Sequence, residues 1–374
     1  MYGSGIEIPK VSFTSIDYSQ IAAGSYFVGF DLDNSGLLSK IDSNGIITKV
    51  EGGGVIDVGS GTCSTYRIET GNTASGYAST VSGGYGNTAG GAGDLNIVSG
   101  GYCNTASSYY SAVSGGALNL ASSDYSTVSG GYNNISGNIS STVSGGYGNS
   151  ATGIGSTVSG GVTNTNSSYY STIGGGYNNT ISSYSGFSTI GGGVGNTASS
   201  YYGRETIGGG AGNTASGSYS TISGGQRNTA SNYYSTVSGG YNNTASGQCS
   251  TVSGGYGNSA ISSGSTIGGG WANVSCCNYS TVGGGIGNVA SGEYSVVSGG
   301  CNNSANGQNS GIFGGTGNNI NSQADAFIVG TGIIADSTCT TFVNKLSIKG
   351  IPTSSAGLCS GMLWSDSGMI CIIP

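Results

Sequence analysis

The segment STVSGGYNNTASG, residues 235–247, has no charged residue and sets small polar residues around one branched and one small apolar side chain. Close variants of it recur along most of the chain. When the copies are aligned on the aliphatic residue before the Ser/Gly-Gly pair, they are 15 residues apart, and the interval widens to 17 three times. The aligned residues are Val81, Val98, Val113, Val128, Val143, Val158, Ile173, Ile190, Ile207, Ile222, Val237, Val252, Ile267, Val282, Val297 and Ile312.

An asparagine follows each of these sixteen positions by six residues. We predict a structural role for this column, in which the side chain either satisfies backbone groups of a left-handed corner or pairs with the same asparagine one coil away. A ligand site rarely needs so many identical copies, so we do not expect the column to bind one. Its members are Asn87, Asn104, Asn119, Asn134, Asn149, Asn164, Asn179, Asn196, Asn213, Asn228, Asn243, Asn258, Asn273, Asn288, Asn303 and Asn318.

Two short β-compatible stretches, S-T-V-S and N-T-A-S, alternate with Gly-rich and Ser-rich corners in the repeat. Side-chain alternation predicts that the Val or Ile and the Ala point inward, and that the Thr and Ser next to them point outward. The Gly-Gly pair provides the positive φ and the close backbone approach of the first corner. Each copy is therefore predicted to form one coil of an all-β, parallel β-solenoid.

The solenoid is predicted over residues 59–330, between a β meander at residues 1–58 and a small β cap at residues 331–374. Sixteen coils stacked at about 4.8 Å would extend for roughly 75 Å. Each coil buries little apolar surface, so we expect several chains to complete one core, most simply as a homotrimer, with end-to-end joining into a filament as a further option.

Aromatic residues form two further columns. One lies four residues after the aliphatic position and contains Tyr85, Tyr102, Tyr132, Tyr147, Tyr177, Tyr241, Tyr256 and Trp271. To a second column, about three residues before the next aliphatic position, we assign Tyr110, Tyr125, Tyr170, Tyr202, Tyr219, Tyr234, Tyr279 and Tyr294. Two interpretations stay open: the rings form a face that binds sugars or receptors, or they cover corners and fill grooves between subunits.

The repeat resembles the YadA-like head repeats of trimeric autotransporter adhesins, which also place a small-aliphatic strand and a Gly corner in a short coil. The similarity covers about residues 71–323 and implies a left-handed parallel β-roll in a trimer. That family's signal peptide, coiled-coil stalk and membrane anchor are not found in this sequence.

The two ends of the chain resemble the terminal segments of tailed-phage and large-virus fibre proteins, which flank repetitive shafts and imply a virion appendage. The residues that carry this resemblance are 24–27 with 42–45 at the start, and Gly357, Leu358, Ser360, Gly361, Trp364 and Asp366 at the end.

The composition of the chain excludes several classes of function. The 374 residues include no histidine, which excludes imidazole metal ligands and histidine bases. A formal net charge of −7, with eight Lys and Arg, gives no basic groove for nucleic acid. No apolar run approaches the roughly 20 residues that span a bilayer, and the first residues lack the regions of a signal peptide. We therefore expect no enzyme activity, no cofactor, no nucleic-acid partner and no membrane span.

The cysteines and one acidic segment are the candidates for redox or metal sites. Nine cysteines occur without a CxxC pair, so we favour free thiols over a disulfide framework. They are Cys63, Cys103, Cys249, Cys276, Cys277, Cys301, Cys339, Cys359 and Cys371. The string DLDNSGLLSKID, residues 31–42, places Asp31, Asp33 and Asp42 at calcium-loop spacing, but a hairpin turn at residues 34–36 is the simpler interpretation.

Three coils carry two extra residues, always between the Ala strand and the next aliphatic strand, at about residues 91–94, 183–187 and 201–205. Because the register survives each insertion, the extra residues are predicted to bulge outward at one edge. The last two insertions bring together the residues at which we expect any side-on contact with a partner. These residues are Phe187, Tyr201, Tyr202, Arg204 and Glu205.

The leading hypothesis is a structural fibre, either a virion appendage or an extracellular filament, that provides reach and adheres to a receptor, with a glycan among the candidate receptors. The alternative is a ligand-binding solenoid such as an ice-binding or cell-surface adhesin protein, because Thr precedes the aliphatic residue in twelve copies. A third hypothesis is a glycan depolymerase. The acids of the repeat region, Asp94, Asp124, Glu205 and Glu293, are not predicted to pair across adjacent coils, as such an enzyme requires.

Overall fold

The computed structural model describes residues 71–91 and 94–347 in full, and residues 351–353, 357 and 360 as short pieces. It also describes the strands Lys10–Val11, Tyr26–Asp31, Leu37–Asp42, Ile47–Lys49, Ile56–Val58, Thr65–Arg67, Leu363–Asp366 and Met369–Ile372. These ranges consist of strands, turns and bends, and they contain no helix that is long and apolar enough to cross a membrane. The chain divides into two compact units, Met1–Gly155 and Ser156–Pro374.

In the N-terminal unit, every coil contributes one two-residue strand to a first sheet and one to a second sheet. The strands of the first sheet are Thr80–Val81, Ile97–Val98, Ala112–Val113, Thr127–Val128 and Thr142–Val143. Those of the second sheet are Thr73–Ala74, Thr88–Ala89, Thr105–Ala106, Leu120–Ala121, Ile135–Ser136 and Ser150–Ala151.

The C-terminal unit follows the same plan. Its first sheet contains Thr157–Val158, Thr172–Ile173, Thr189–Ile190, Thr206–Ile207, Thr221–Ile222, Thr236–Val237, Thr251–Val252, Thr266–Ile267, Thr281–Val282, Val296–Val297, Gly311–Ile312, Phe327–Val329 and Thr341–Val343. Its second sheet contains Thr165–Asn166, Thr180–Ile181, Thr197–Ala198, Thr214–Ala215, Thr229–Ala230, Thr244–Ala245, Ser259–Ala260, Val274–Ser275, Val289–Ala290 and Ser304–Ala305.

Successive coils pair in parallel and in register. Thr236 pairs with Thr251 and Val237 with Val252 in the first sheet, and Ala230 pairs with Ala245 in the second. The parallel β-solenoid predicted from the 15-residue spacing is thereby confirmed. Two of the 17-residue coils keep the same register, since Ile173 pairs with Ile190 and Ile190 with Ile207.

A third ladder, absent from the sequence-based prediction, lies at the single residue four positions after each aliphatic residue. In the N-terminal unit it runs through Tyr85, Tyr102, Ala117, Tyr132 and Tyr147. In the C-terminal unit it runs through Val162, Tyr177, Val194, Ala211, Gln226, Tyr241, Tyr256, Trp271, Ile286, Cys301 and Thr316. Within each unit, consecutive coils are therefore joined along three lines, and the first aromatic column forms one of them.

Four inward side chains fill a typical coil. All sixteen aliphatic residues are buried, and so are the alanines of the second sheet, as predicted. Two polar columns complete the interior: the asparagines and a serine column that stands two residues before each aliphatic residue, with Asn96 and Glu205 in place of serine. Where a polar residue replaces the inward alanine, the serine column provides its partner, and Ser136 Oγ lies 2.7 Å from Ser141 Oγ.

The asparagine column performs both of the roles proposed for it. Asn243 Nδ2 donates to the carbonyl oxygen of Gly239 in its own corner and to that of Gly255 in the next coil, at 2.9 Å each. Asn243 Oδ1 accepts the backbone N–H of Asn258 at 3.0 Å. In several coils the side chains also bond to each other, as Asn258 Nδ2 donates to Asn243 Oδ1 at 3.2 Å. All sixteen asparagines are buried, which fits a structural role.

The predicted meander is present as an antiparallel sheet, in which Phe27 pairs with Ile41 and Ile41 with Ile47. A fourth strand, Lys10–Val11, joins it in parallel. Near the end of the chain, Asp366 pairs with Met369 in a hairpin. The domain limits at residues 58 and 330 stay a prediction.

The calcium interpretation of residues 31–42 is wrong for two of its three ligands. Asp31 pairs with Leu37 at one end of a hairpin, and Asp42 pairs with Tyr26 at the other. Five residue steps along a strand separate these ends by roughly 17 Å, too far for one ion. Asp33 lies outside the described residues. No cluster of metal-ligating side chains occurs in the part of the chain that the structure describes.

Candidate functional site

The turn between the Ala strand and the next aliphatic residue, called here the serine corner, presents side chains to solvent. In the coil after Ala215 it comprises residues 216–220. The residue three positions before the aliphatic residue adopts a left-handed conformation, with φ of 59° at Tyr219 and 56° at Tyr234. These residues form the second aromatic column.

The assignment of Tyr202 to that column is wrong. The left-handed position before Ile207 is occupied by Arg204, with φ of 69°, and the one before Ile190 by Phe187, with φ of 62°. The left-handed residue stays three positions before the aliphatic residue, because the last residues of the turn enter the next ladder. The extra residues of the 17-residue coil therefore precede Gly203, and Tyr202 lies beside the column.

Five consecutive coils of the C-terminal unit place a continuous stack at this column. The ring centroids of Tyr170 and Phe187 are 5.6 Å apart, and those of Tyr219 and Tyr234 are 4.9 Å apart. The Arg204 guanidinium lies between the two pairs, 5.7 Å from the Phe187 centroid and 5.0 Å from the Tyr219 centroid. Arginine thus replaces an aromatic ring in the middle of the stack through cation–π contacts on both sides.

A second row of tyrosines turns this stack into one wall of a groove of about 380 Å³, called here the Arg204 groove. Tyr169 meets Phe187 edge to face, with ring centroids 5.5 Å apart, and Tyr202 lies 6.1 Å from Tyr233. The lining consists of Arg204, Phe187 and five tyrosines, which are Tyr169, Tyr202, Tyr219, Tyr233 and Tyr234. The groove is open to solvent, and Tyr202 is 61% exposed.

Arg204 is the only charged side chain in the lining of the groove. Its Nη1 donates to the Tyr219 hydroxyl, and no ion pair to it is found within the described residues. A guanidinium has five N–H donors, so most of its hydrogen-bonding capacity is not used by the Tyr219 hydroxyl. The groove therefore combines aromatic faces, phenol hydroxyls and one uncompensated positive charge.

Glu205, predicted to be a surface contact residue, points inward instead and is 0% exposed. It occupies the serine column, which is the position directly after the left-handed residue, here Arg204. Its Oε1 accepts the backbone N–H of Ser200 at 3.0 Å, and its Oε2 is hydrogen-bonded to Ser188 Oγ. Burial raises the pKa of the Glu205 carboxyl above its ordinary value, and the hydrogen bonds from Ser188 and the backbone oppose that rise only in part.

The Ser188 hydroxyl indicates which form of Glu205 is present. Ser188 Oγ lies 2.5 Å from the carbonyl oxygen of Ser185, which can only accept a hydrogen bond. One hydroxyl proton cannot serve both this carbonyl and a carboxylate, whereas the acid form of Glu205 can donate to Ser188 Oγ. The geometry therefore fits a neutral Glu205 inside the coil.

Of the five residues predicted to make a side contact, the structure brings Phe187, Tyr202 and Arg204 into one groove. Tyr201 is 70% exposed and stacks on Tyr184 outside the lining, with ring centroids 5.5 Å apart. Tyr219 and Tyr234 were assigned to the second aromatic column, whereas Tyr169 and Tyr233, which directly precede column tyrosines in the sequence, were missed. At the first insertion, Leu95 takes the left-handed position, and residues 92–93 lie outside the described ranges.

Within the described residues, cysteines and acids form no second candidate site. Free thiols are found at the half-buried Cys103, Cys276, Cys277 and Cys301, as predicted, and at Cys249 and Cys339, which are exposed and not half-buried as expected; the other three cysteine side chains lie outside the described residues. Burial raises the pKa of the Cys276 thiol, which lowers its reactivity. Asp94 accepts the backbone N–H of Tyr77, and Asp124 accepts the Ser108 hydroxyl, so each of these carboxylates is bonded to the preceding coil.

Residues 235–247 match the ubiquitous surface protein adhesin repeat. No curated protein matches the chain. The matched segment is one copy of the repeat that builds the coils of both units, so this chain carries an adhesin-type repeat on a β-solenoid.

Proposed function

We propose that this protein is a non-enzymatic, adhesin-like fibre subunit that is displayed on the outside of the virion or cell that makes it. The observation that carries the proposal is the adhesin repeat at residues 235–247, set in a solenoid whose coils repeat the same four inward columns. Each added coil lengthens such a structure by about 4.8 Å without a new kind of core, which suits a protein that provides reach.

The proposal includes a homotrimer. The third ladder is apolar or aromatic in both units, apart from Gln226 and Thr316. Its rings are well exposed, at 51% for Tyr256 and 53% for Trp271. An exposed column of this composition gains free energy from contact with another chain. We assign the third ladder to the subunit interface and the serine corners to the outer surface.

Electron microscopy and mass measurement of the full chain test this proposal. Trimers that form elongated particles of uniform width are expected, and globular monomers would overturn it. Tyr256→Ser combined with Trp271→Ser should weaken the trimer. Tyr279→Ser combined with Tyr294→Ser, a stacked pair in the serine corners with centroids 5.4 Å apart, should leave the trimer intact.

Beads coated with the full chain should adhere to a mucin layer more than uncoated beads do.

Water ordering is a second candidate function, favoured by one observation. Nine outward threonines stand in register in the first sheet of the C-terminal unit, from Thr157 to Thr281. The outward residue two positions later varies between Ser and Gly, so the array is regular along one file only. Thermal hysteresis of a solution of the protein is the direct test, and its absence removes this candidate.

A further inference from the structure

The Arg204 groove differs from the other serine corners of the chain in charge. The corresponding left-handed positions hold Tyr, Phe, Gly, Ala, Leu, Ser, Cys, Asn and Asp, and only one holds a cation. In a chain with net charge −7, a single arginine in an aromatic groove selects for one negative group rather than for a polyanion. The ligand is therefore expected to carry an isolated carboxylate.

The backbone of the groove excludes an extended peptide that adds to the sheet. The N–H of Arg204 donates to Gly186 O at 2.9 Å, and that of Tyr219 donates to Gly203 O at 3.2 Å. The N–H groups of Phe187 and Tyr234 are likewise bonded to the preceding coil. Since main-chain hydrogen bonds provide the affinity in strand addition, the groove has to recognise its ligand through side chains alone.

The side chains of the groove provide ring faces, phenol hydroxyls and one guanidinium. Ring faces match the C–H faces of a pyranose, and phenols match its hydroxyl groups. The guanidinium can hold a carboxylate through two parallel hydrogen bonds. A volume of about 380 Å³ lies within the range of small-ligand sites and accommodates one or two sugar units.

We propose that the Arg204 groove binds a carboxylate-bearing sugar, with Arg204 holding the acid group and the exposed ring of Tyr202 packing against the sugar ring. This inference deepens the proposed adhesive function and rests on it. Sialic acids and uronic acids share this chemistry. The two sources are separated by the choice of probe.

The test measures binding of the full chain to two matched pairs of sugars: sialyllactose with its methyl ester, and the methyl glycoside of galacturonic acid with its methyl ester. At least one acidic member should bind about tenfold more tightly than its neutral partner, and the pair that shows the difference identifies the source of the acid. Arg204→Gln should remove that difference. Tyr202→Ala should weaken binding of the same sugar and provides a second variant outside the left-handed stack.

Arg227→Gln is the matched control. Arg227 also stacks on a tyrosine, 5.8 Å from the Tyr241 centroid, and donates to its hydroxyl at 2.9 Å, but it lies outside the groove. This variant should bind as the wild type does, and circular dichroism should show that all variants are folded.

Three results would overturn the inference: equal binding of acidic and neutral sugars, full binding by folded Arg204→Gln, or an equal loss in Arg227→Gln. If the coated beads still adhere to mucin in any of these cases, the proposed function stands and only the ligand assignment fails. If wild-type beads do not adhere at all, the proposed function itself fails.

Discussion

In the coil that begins at Ile222, the glycine corner at residues 224–228 and the serine corner at residues 231–235 are held by different bonds. Asn228 Nδ2 donates to Gly224 O in its own coil and to Gly240 O in the next, at 3.0 Å each. Ser235 Oγ instead donates to Asn232 O at 2.8 Å, within its own turn. The serine corner also reaches the next coil, where Asn232 Nδ2 donates to Ser246 O at 3.0 Å, but most copies have Gly or Ser at the position of Asn232. The glycine corner therefore requires the same side-chain bonds in every copy, and the serine corner does not.

This difference explains where the chain varies. The glycine corner keeps Gly-Gly and Asn in all sixteen copies, and every insertion falls at the serine corner. Side chains of the serine corner face solvent from a left-handed residue, so they can change identity without disturbing the interior. The candidate binding groove lies at the one place where two long serine corners are consecutive.

The largest effect is expected from Gly225→Ala. Gly225 has φ of 86°, and a methyl group there would lie 2.2 Å from Gly240 O and 2.6 Å from Asn228 Nδ2. Both the clash and the backbone conformation oppose a side chain, so the free energy of unfolding should fall by about 4 kcal/mol or more. Urea titration followed by circular dichroism measures the change.

Gly224→Ala is the adjacent control, since a methyl group there meets no atom within 4 Å. It should change the free energy of unfolding by less than about 1 kcal/mol. Equal losses in the two variants would show that close backbone approach is not what preserves the glycine corner.

A smaller loss is expected from Asn243→Ala. This change leaves the carbonyl of Gly239 and the N–H of Asn258 without their bonds to Asn243, and each orphaned buried group costs about 1–3 kcal/mol. The free energy of unfolding should fall by about 3 kcal/mol in total. Asn242→Gly, at the exposed left-handed residue next to it, should have almost no effect, and a comparable loss there would contradict the assignment of the bonds.

The regular part of this structure could be predicted from the sequence because its rules repeat. Val237 and Ala245 are the apolar residues of their strands, so alternation places them on the inner side, and the spacing of Asn243 identifies a corner. The burial of Ser235 was not predicted, since the strands are only two residues long and alternation gives no direction to a residue in the turn. Tyr202 and Glu205 were misplaced for a related reason. After an insertion, each side chain is positioned by its distance from the left-handed residue, here Arg204, and the distance from the preceding strand does not show which residue that is.

Deletion of Tyr201 and Tyr202 tests the tolerance of the serine corner. The remaining Ser200-Gly203-Arg204-Glu205 keeps the left-handed residue and the buried acid in their columns, so the cost should be about 1 kcal/mol, mainly the lost Tyr184–Tyr201 stack. Thermal unfolding and particle mass measure the stability and the oligomeric state. Deletion of Gly239 and Gly240 is the matched change at the other corner and should abolish folding of its coil.

The last prediction concerns Glu205, the one buried acid among the described serine corners. Burial raises the folded-state pKa of its carboxyl above the ordinary value of 4.5, so the folded chain holds a proton that the unfolded chain releases. Below pH 4.5 both states are protonated, and the wild type and Glu205→Gln should be equally stable. As the pH rises past that value, the unfolded state binds fewer protons than the folded state, and the wild type loses stability until the folded-state pKa is passed.

Glu205→Gln keeps an acceptor for the Ser200 N–H and a donor for Ser188 Oγ but does not titrate. At pH 7 it should therefore be more stable than the wild type, and the difference should vanish in acid. Urea titrations between pH 3.5 and pH 8 measure this difference. Glu293→Gln removes the same charge from a serine corner without removing a buried acid, so it should not reproduce the pH-dependent gain. A Glu205→Gln variant that is less stable than the wild type at pH 7 would mean that the carboxylate form is accommodated. The serine corner would then tolerate charge on its inner side as well as on its outer side.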